Sequence, residues 1–284
     1  MLVDVHTHFM RSAHWGCEWR DHWQPVYGRP WKEVTVEDYD QAMSDVDVAL
    51  VFGIRATAAG VATPHEELAR FSDSTRTNTI GFMALDPSDP DALEQMEYGV
   101  ELGLKGVKLY PVLALFDATD PAYDGFFNAL IANRLPVLWH IGATPSPAGD
   151  LRLSMPMMID DVARRHPDLV QIMAHMGHPW QRETLAVLRK NHRVFADVSA
   201  SWARPFDGFH ALVRAQEWGV VDKLLFGSDF PLWTPAEAIK GLFEISELRA
   251  GGLPHVATET VEQILDQEAL SLLGLNSRSH GKKG

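Results

Sequence analysis

Two histidines stand two residues apart near the start of the sequence, in the stretch VDVHTHF. His6 and His8 alternate with Val5 and Thr7, and residues two apart in a β-strand point to the same face of the sheet. The pattern therefore predicts that both imidazoles face one side, close to the end of a strand. Imidazole is a common metal ligand and a common acid or base. The pair becomes informative if other ligand-type residues reach the same place.

Four further polar residues lie at the ends of later apolar runs. Lys108 lies in GVKLYP, His140 in VLWHIG, His175 in IMAHMGH and Asp229 in GSDFP. Three neutral imidazoles and a carboxylate could hold zinc or a related divalent ion and leave one position for water; the remaining histidine could act as an acid or a base. Each residue alone also fits a structural role, such as a hydrogen-bonded histidine, a helix cap or a surface lysine. Their shared position at strand ends favours a metal site.

Eight short apolar runs alternate with amphipathic stretches along the chain. Runs of about 5–8 apolar or β-branched residues are typical of buried parallel strands. The runs are residues 2–9, 46–53, 79–85, 104–110, 136–142, 168–175, 193–199 and 222–230. The alternation predicts an α/β protein with a closed (β/α)8 TIM barrel, and an open doubly wound sheet is the alternative. In a barrel, the carboxyl ends of all strands lie on one rim, where catalytic groups collect.

The predicted barrel occupies residues 1–275 as one domain, and two segments fall outside its repeat. Residues 9–34 form a long connection after the first strand that is rich in aromatic side chains: Trp15, Trp19, Trp23, Tyr27 and Trp31. Long connections of this kind lie at the active-site face, so the segment could be a lid or pocket wall, or equally a small core on the rim. Residues 276–284 are polar and are predicted to form a flexible tail.

Composition narrows the classes of partner. The 284 residues contain 25 Lys and Arg against 38 Asp and Glu, a formal net charge of −13. This balance argues against nucleic acid and against an anionic membrane surface as partners. Cys17 is the single cysteine, and no signal peptide or apolar run of about 20 residues is evident, so a cytoplasmic protein is expected. A small-molecule substrate is expected, and a homodimer is left open.

The motifs DVHTHF, GVKLYP, VLWHIG, IMAHMGH and LLFGSDFP resemble the signature of the amidohydrolase superfamily. The nearer match is the amidohydrolase-2 branch, which includes aminocarboxymuconate-semialdehyde decarboxylase and related TIM-barrel metal-dependent hydrolases. The resemblance implies a distorted (β/α)8 barrel with one or two divalent metals. It implies that His6, His8, His140 and Asp229 are metal ligands. It also implies that His175 corresponds to the strand-6 histidine of the family, which is a ligand in two-metal members and an acid or base in one-metal members.

Two departures from the family pattern bear on the number of metals and on the reaction. Decarboxylases of this branch usually show a glycine-rich run after the strand-6 histidine, whereas this chain has HMGHP. Lys108 occupies the strand-4 position that is carboxylated to bridge two metals in some superfamily members. We favour one metal, most readily zinc, with manganese, iron or cobalt as alternatives.

Three functions are compatible with these residues. The leading interpretation is a metal-dependent hydrolase in which a metal-activated water attacks an amide, lactone, ester or C–C bond, with His175 and Asp229 as catalytic groups. The second is non-oxidative decarboxylation of an unsaturated or aromatic acid, which needs a cation for the substrate carboxylate. The candidate substrate-binding residues are Lys108, Arg55, His178 and Arg204. The third, a non-catalytic metal-binding barrel, predicts a closed coordination shell, which the surplus His175 and His178 argue against.

Overall fold

Eight parallel strands form one sheet in which each strand pairs with the next along the chain. Their bounds are β1 Val3–His8, β2 Val48–Phe52, β3 Asn78–Ala84, β4 Gly106–Leu109, β5 Val137–Trp139, β6 Gln171–Met173, β7 Val194–Asp197 and β8 Leu224–Leu225. Each strand lies within one of the eight apolar runs, apart from Asn78, which precedes the third run by one residue. The predicted strands and the predicted barrel are confirmed.

The computed structural model describes residues 1–249 and 251–275, and for residues 17–20 and 22 it describes the backbone alone. The predicted tail at 276–284 therefore lies outside the described residues, as do the side chains of Cys17 and Trp19. No helix within the described ranges is long and apolar enough to cross a membrane.

The sheet closes between β1 and the segment that follows β8. The backbone N–H of Val5 donates to the carbonyl oxygen of Phe226 at 2.9 Å, and the N–H of His8 donates to that of Phe230 at 2.8 Å. Between these two bonds, the N–H of Asp229 donates to the carbonyl oxygen of His6 at 2.8 Å. Closure thus brings His6 and His8, the predicted ligands of the first strand, beside Asp229, the predicted ligand that follows the last strand.

Helices alternate with the strands and cover the barrel. They are α1 Cys17–Tyr27, α2 Val36–Ala42, α3 His65–Ser74, α4 Ala92–Glu101, α5 Pro111–Ala114, α6 Asp124–Ala132, α7 Pro156–Arg165, α8 Gln181–Lys190, α9 Pro205–Trp218, α10 Pro235–Glu247, α11 Thr258–Leu265 and α12 Ala269–Leu272. A short antiparallel hairpin pairs Arg55–Ala56 with Val61–Ala62. The sequence pattern did not indicate this hairpin, because two-residue strands carry no periodicity.

Alternate residues of each strand supply two separate cores. In β2, Leu50 and Phe52 join the cluster inside the barrel, whereas Ala49 and Val51 join the cluster shared with the helices. Ala269 and Leu273 belong to the inner cluster, so α12 closes one end of the barrel. The segment after α10 forms two short helices, α11 and α12, and the break between them allows the second to bury apolar side chains in the barrel.

Candidate metal centre

Three ligand-type atoms converge at the seam where the barrel closes. Nε2 of His6 and Nε2 of His8 are 3.3 Å apart. Oδ1 of Asp229 lies 3.3 Å from Nε2 of His6 and 3.2 Å from Nε2 of His8. The three atoms therefore form a nearly equilateral triangle. Donor atoms about 2.0–2.1 Å from one tetrahedral ion would be about 3.3 Å apart, so the spacing suits a divalent metal.

Local backbone features place these three side chains. The pairing of β1 with β2 shifts register between Asp4 and Thr7, and His6 lies inside that irregularity. Asp229 adopts a left-handed conformation with φ 62°, which is uncommon for a residue other than glycine and typical of functional sites. Oδ1 of the buried Asp4 accepts from the N–H of His6 and from the N–H of Ser228, both at 3.0 Å. Asp4 thus forms hydrogen bonds to both sides of the seam.

His140 and His175 lie beside the triangle on the same rim. The ring of His175 is 4.8 Å from that of His6 and 5.4 Å from that of His140, measured between centroids. His6, His175 and Asp229 each offer a ligand atom within 4.8 Å of the others. The Nε2 of His140 lies 3.4 Å from the carbonyl oxygen of Ala143, which is a long hydrogen bond. The structure therefore brings together all five of the residues predicted as ligands or as acid and base.

Burial keeps the imidazoles of this site neutral. Desolvation holds the pKa of His6 and of His8 well below the usual value, and the nearby Lys108 lowers both further. Burial likewise lowers the pKa of His140, with the neighbouring His175 as the next cause, and lowers the pKa of His175 to about 4. Neutral imidazole exposes a nitrogen lone pair, which is the form that binds a metal ion.

Two further buried groups have unusual proton affinities. Burial raises the pKa of Asp229 to about 6, although His175 and Lys108 oppose the shift. Burial lowers the pKa of Lys108 to about 7, against the attraction of Asp197 and Asp229. Strongly perturbed groups cluster at functional sites, which favours a catalytic rather than a structural role for this rim.

Lys108 reaches the rim from β4 and is 1% exposed. Its Nζ lies 4.7 Å from the centroid of the Phe52 ring. Among the described residues, this nitrogen has no hydrogen-bond partner. A buried amine without a partner is costly, so an additional group in the site would stabilise it.

A cavity of about 430 Å³ opens outward from the site. Its inner end is formed by His140, His175 and Asp229, and its outer wall includes His178 and Arg204. A second cavity of about 40 Å³ shares these three residues and is lined further by His8, Lys108 and aromatic side chains. The same three residues therefore border a larger and a smaller chamber.

The predicted substrate-binding residues are distributed unevenly around these chambers. His178 and Arg204 line the open cavity, and Nδ1 of His178 lies 2.9 Å from Nε2 of Gln181. Arg55 lies in the hairpin after β2 and donates to the carboxylate of Asp89. It lines neither chamber, so the structure does not bring it to the site.

The aromatic connection at residues 9–34 forms both a core and a wall. The ring of Trp23 lies 5.2 Å from that of Trp31 and 4.6 Å from that of Tyr27. Tyr27 also lines both chambers, and Trp15 and Trp23 line the smaller one. The two predicted roles of this segment are thus combined in one packed unit that bounds the site.

Sequence reasoning missed two buried residues that support the site, Asp197 and Ser199. Nδ1 of His6 donates to Oδ2 of Asp197 at 2.9 Å, and Nδ1 of His175 lies 2.7 Å from Oγ of Ser199. Asp197 ends β7 as the other site residues end their strands, so its position was a signal that could have been used. Ser199 carried no such signal, because an isolated serine after a strand is common in loops.

The sequence matches one protein-family profile, Amidohydro_2, described as amidohydrolase, over residues 3–275. A search of curated protein sequences finds no significant match.

Several solved structures share the fold. An uncharacterised TIM-barrel protein from Bordetella bronchiseptica is 18% identical with a TM-score of 0.77, covering 96% of this chain and 98% of its own. A probable 2-pyrone-4,6-dicarboxylic acid hydrolase from Acinetobacter baumannii, with citric acid bound, is 16% identical with a TM-score of 0.68, covering 96% and 99%. A dihydroxybenzoic acid decarboxylase from Polaromonas sp. JS666, with manganese and 2-nitroresorcinol bound, is 16% identical with a TM-score of 0.66, covering 97% of each chain.

Proposed function

The chain belongs to the amidohydrolase family, and from that membership we propose that it is a metal-dependent hydrolase of a small, anionic organic substrate. The observation that carries the proposal is the triangle of His6 Nε2, His8 Nε2 and Asp229 Oδ1 at the inner end of an open cavity. Manganese in one structural neighbour adds support for a divalent ion.

The hydrogen bonds of His6 support a cation within the triangle. Its Nδ1 donates to the carboxylate of Asp197, so the neutral ring carries a lone pair on Nε2. That lone pair faces Oδ1 of Asp229 at 3.3 Å, and a carboxylate oxygen is also an acceptor. Two acceptors so close repel each other unless a metal ion or a shared proton lies between them. We therefore assign His6, His8 and Asp229 as metal ligands, with His140 as the fourth.

We expect each residue around this centre to have a separate role in the reaction. When bound, a divalent ion polarises a substrate carbonyl and lowers the pKa of water. Asp229 offers one oxygen to the triangle and keeps the other to accept a proton from the attacking water. His175, which lines the cavity, would relay the proton. Arg204 and His178 on the outer wall would hold the anionic part of the substrate.

Decarboxylation of an unsaturated or aromatic acid is the second candidate. It is favoured by Lys108, a buried amine in the smaller chamber that could hold a carboxylate close to the triangle. The two reactions are separated by a screen of lactones, esters and amides alongside hydroxybenzoic and unsaturated acids. Hydrolysis releases an acid and keeps every substrate carbon in the organic products. Decarboxylation instead releases one carbon as CO2.

The metal assignment is tested by changing His6 and His8 together to Ala. Two of the four proposed ligands are then lost, so stoichiometric metal should disappear, as measured by elemental mass spectrometry after dialysis. The matched control changes His192 and His255, two exposed histidines away from the rim, and should keep the ion. Full retention of metal by the first variant would rule out this site.

Zinc remains our proposed ion, because nitrogen-rich sites with one carboxylate suit it, and elemental analysis of the isolated protein decides between zinc, manganese, iron and cobalt. The cytoplasmic location and the homodimer stay predictions.

A further inference from the structure

A single buried carboxylate contacts two of the site's imidazoles. Oδ2 of Asp197 accepts from Nδ1 of His6 at 2.9 Å. Oδ1 accepts from the backbone N–H of His175 and from the backbone N–H of Ser199, both at 3.1 Å, and it also meets the Oγ of Ser199. Asp197 and Ser199 are both fully or almost fully buried. Both residues contact side chains of the proposed centre.

The direction of each hydrogen bond follows from counting donors and acceptors. Two backbone N–H groups point at Oδ1 of Asp197, and an N–H can only donate, so this oxygen acts as an acceptor. The hydroxyl of Ser199 must then donate its one proton to Asp197. Having used that proton, Ser199 can only accept from Nδ1 of His175, 2.7 Å away. His175 therefore carries its proton on Nδ1.

We propose that Asp197 and Ser199 act as a positioning pair that holds His175 in the Nδ1–H tautomer, so that its Nε2 presents a lone pair to the cavity. Among the described residues, Nε2 of His175 has no hydrogen-bond partner, and the residue lines the cavity. The other oxygen of Asp197 imposes the same tautomer on His6. One carboxylate thus prepares both rings. The catalytic consequence of this inference rests on the proposed role of His175 as an acid or base.

Backbone geometry at His175 gives independent support for a fixed ring. His175 and Met176 adopt left-handed conformations with φ 55° and 49°. Such conformations are strained for residues other than glycine and persist where the surroundings impose them. The N–H of His175 is held by Asp197 in this turn, so the backbone and the ring of His175 are anchored to the same pair.

The tautomer is measured directly by long-range ¹H–¹⁵N correlation NMR on metal-free protein labelled with ¹⁵N-histidine, with signals assigned by their loss in His175→Asn. The wild-type protein should show the proton on Nδ1 and a lone pair on Nε2. Ser199→Ala should shift the ring toward the Nε2–H form, and Ser199→Thr, which keeps the hydroxyl, should restore the wild-type pattern. A wild-type proton on Nε2, or an unchanged ring in Ser199→Ala, would overturn the proposal.

Kinetics on the metal-loaded enzyme provide the second readout. Ser199→Ala should lower kcat about 10–100-fold with little change in KM or metal content, and Ser199→Thr should recover most of the loss. Ser246→Ala removes another buried serine, whose hydroxyl donates to the carbonyl oxygen of Phe243 away from the rim, and should leave kcat unchanged. Equal losses in the Ala and Thr variants would contradict the positioning role.

His175→Asn separates failure of this inference from failure of the proposed function. If His175 is an acid or base, this variant keeps the metal and loses about 10²–10⁴-fold in kcat. If it keeps near-wild-type turnover, the proposed catalytic role of His175 is wrong, whereas the NMR result still decides whether Asp197 and Ser199 set the tautomer.

Discussion

At the scale of single residues, Lys108 is a buried amine whose lack of a hydrogen-bond partner among the described residues indicates a functional role. Its Nζ is buried above the ring of Phe52 and, within the described residues, has no hydrogen-bond partner. Keeping a buried amine without a partner lowers stability, and replacing such groups with apolar ones of similar size is often neutral or stabilising. A residue that costs stability at the rim of a cavity is therefore a candidate for contact with the substrate.

Lys108→Met should keep the melting temperature or raise it, while kcat/KM for an anionic substrate falls about tenfold or more, because a charge-assisted hydrogen bond is lost. The metal content should stay at one ion per chain. If Lys108 were carboxylated and bridged two ions, intact-mass analysis would show an added CO2 and the variant would lose an ion. Lys223→Met is the control: Lys223 donates to backbone carbonyls far from the rim, so its loss should affect stability and not kcat/KM.

At the scale of elements, the sequence predicted the strands well and their irregularities poorly. Buried parallel strands are continuous apolar runs, so β1 to β8 were visible in the pattern. The left-handed conformations at His175 and Asp229 were not visible, because Asp and His adopt positive φ more often than most residues but do so at only a minority of their positions. The place of Asp197 at a strand end could be seen in the sequence, but its partners could not, because His6 and His175 lie 191 and 22 residues from it along the chain. Long-range partners of this kind are set by tertiary packing.

The aromatic connection at residues 9–34 is the element with the clearest predicted effect on substrate binding. Trp23 packs between Trp31 and Tyr27, and Tyr27 lines both chambers. Trp23→Ala should loosen this wall and change KM or kcat several-fold, with metal content unchanged. Trp218→Ala, which removes a partly exposed tryptophan outside the rim, is the control. If Trp23→Ala turns over a true substrate with wild-type constants, the segment is only a rim core.

At the scale of the whole molecule, the proposed metal ligands lie on both sides of the barrel's closing seam. β8 is only two residues long, and closure depends on the backbone bonds that join β1 to residues 226–230. His6 and His8 contribute from one side of the seam and Asp229 from the other. The sequence suggested that these residues share a rim, but the hydrogen bonds of the seam itself depend on the register between the first and last strands, which apolar patterning does not determine.

Binding of an ion across this seam should stabilise the closed barrel. An ion that binds only the folded state adds about 2.7 kcal/mol at a free concentration 100 times its Kd. We therefore expect chelation to lower the melting temperature of the wild-type protein by several degrees, and re-addition of the ion to restore it. Asp229→Asn weakens the site on one side of the seam, so its melting temperature should respond much less to chelator. Asp89→Asn, which disrupts the Arg55 ion pair elsewhere, should keep the full metal response. A wild-type protein that loses its ion to the chelator, as shown by elemental analysis, and melts at an unchanged temperature would contradict a metal that bridges the seam.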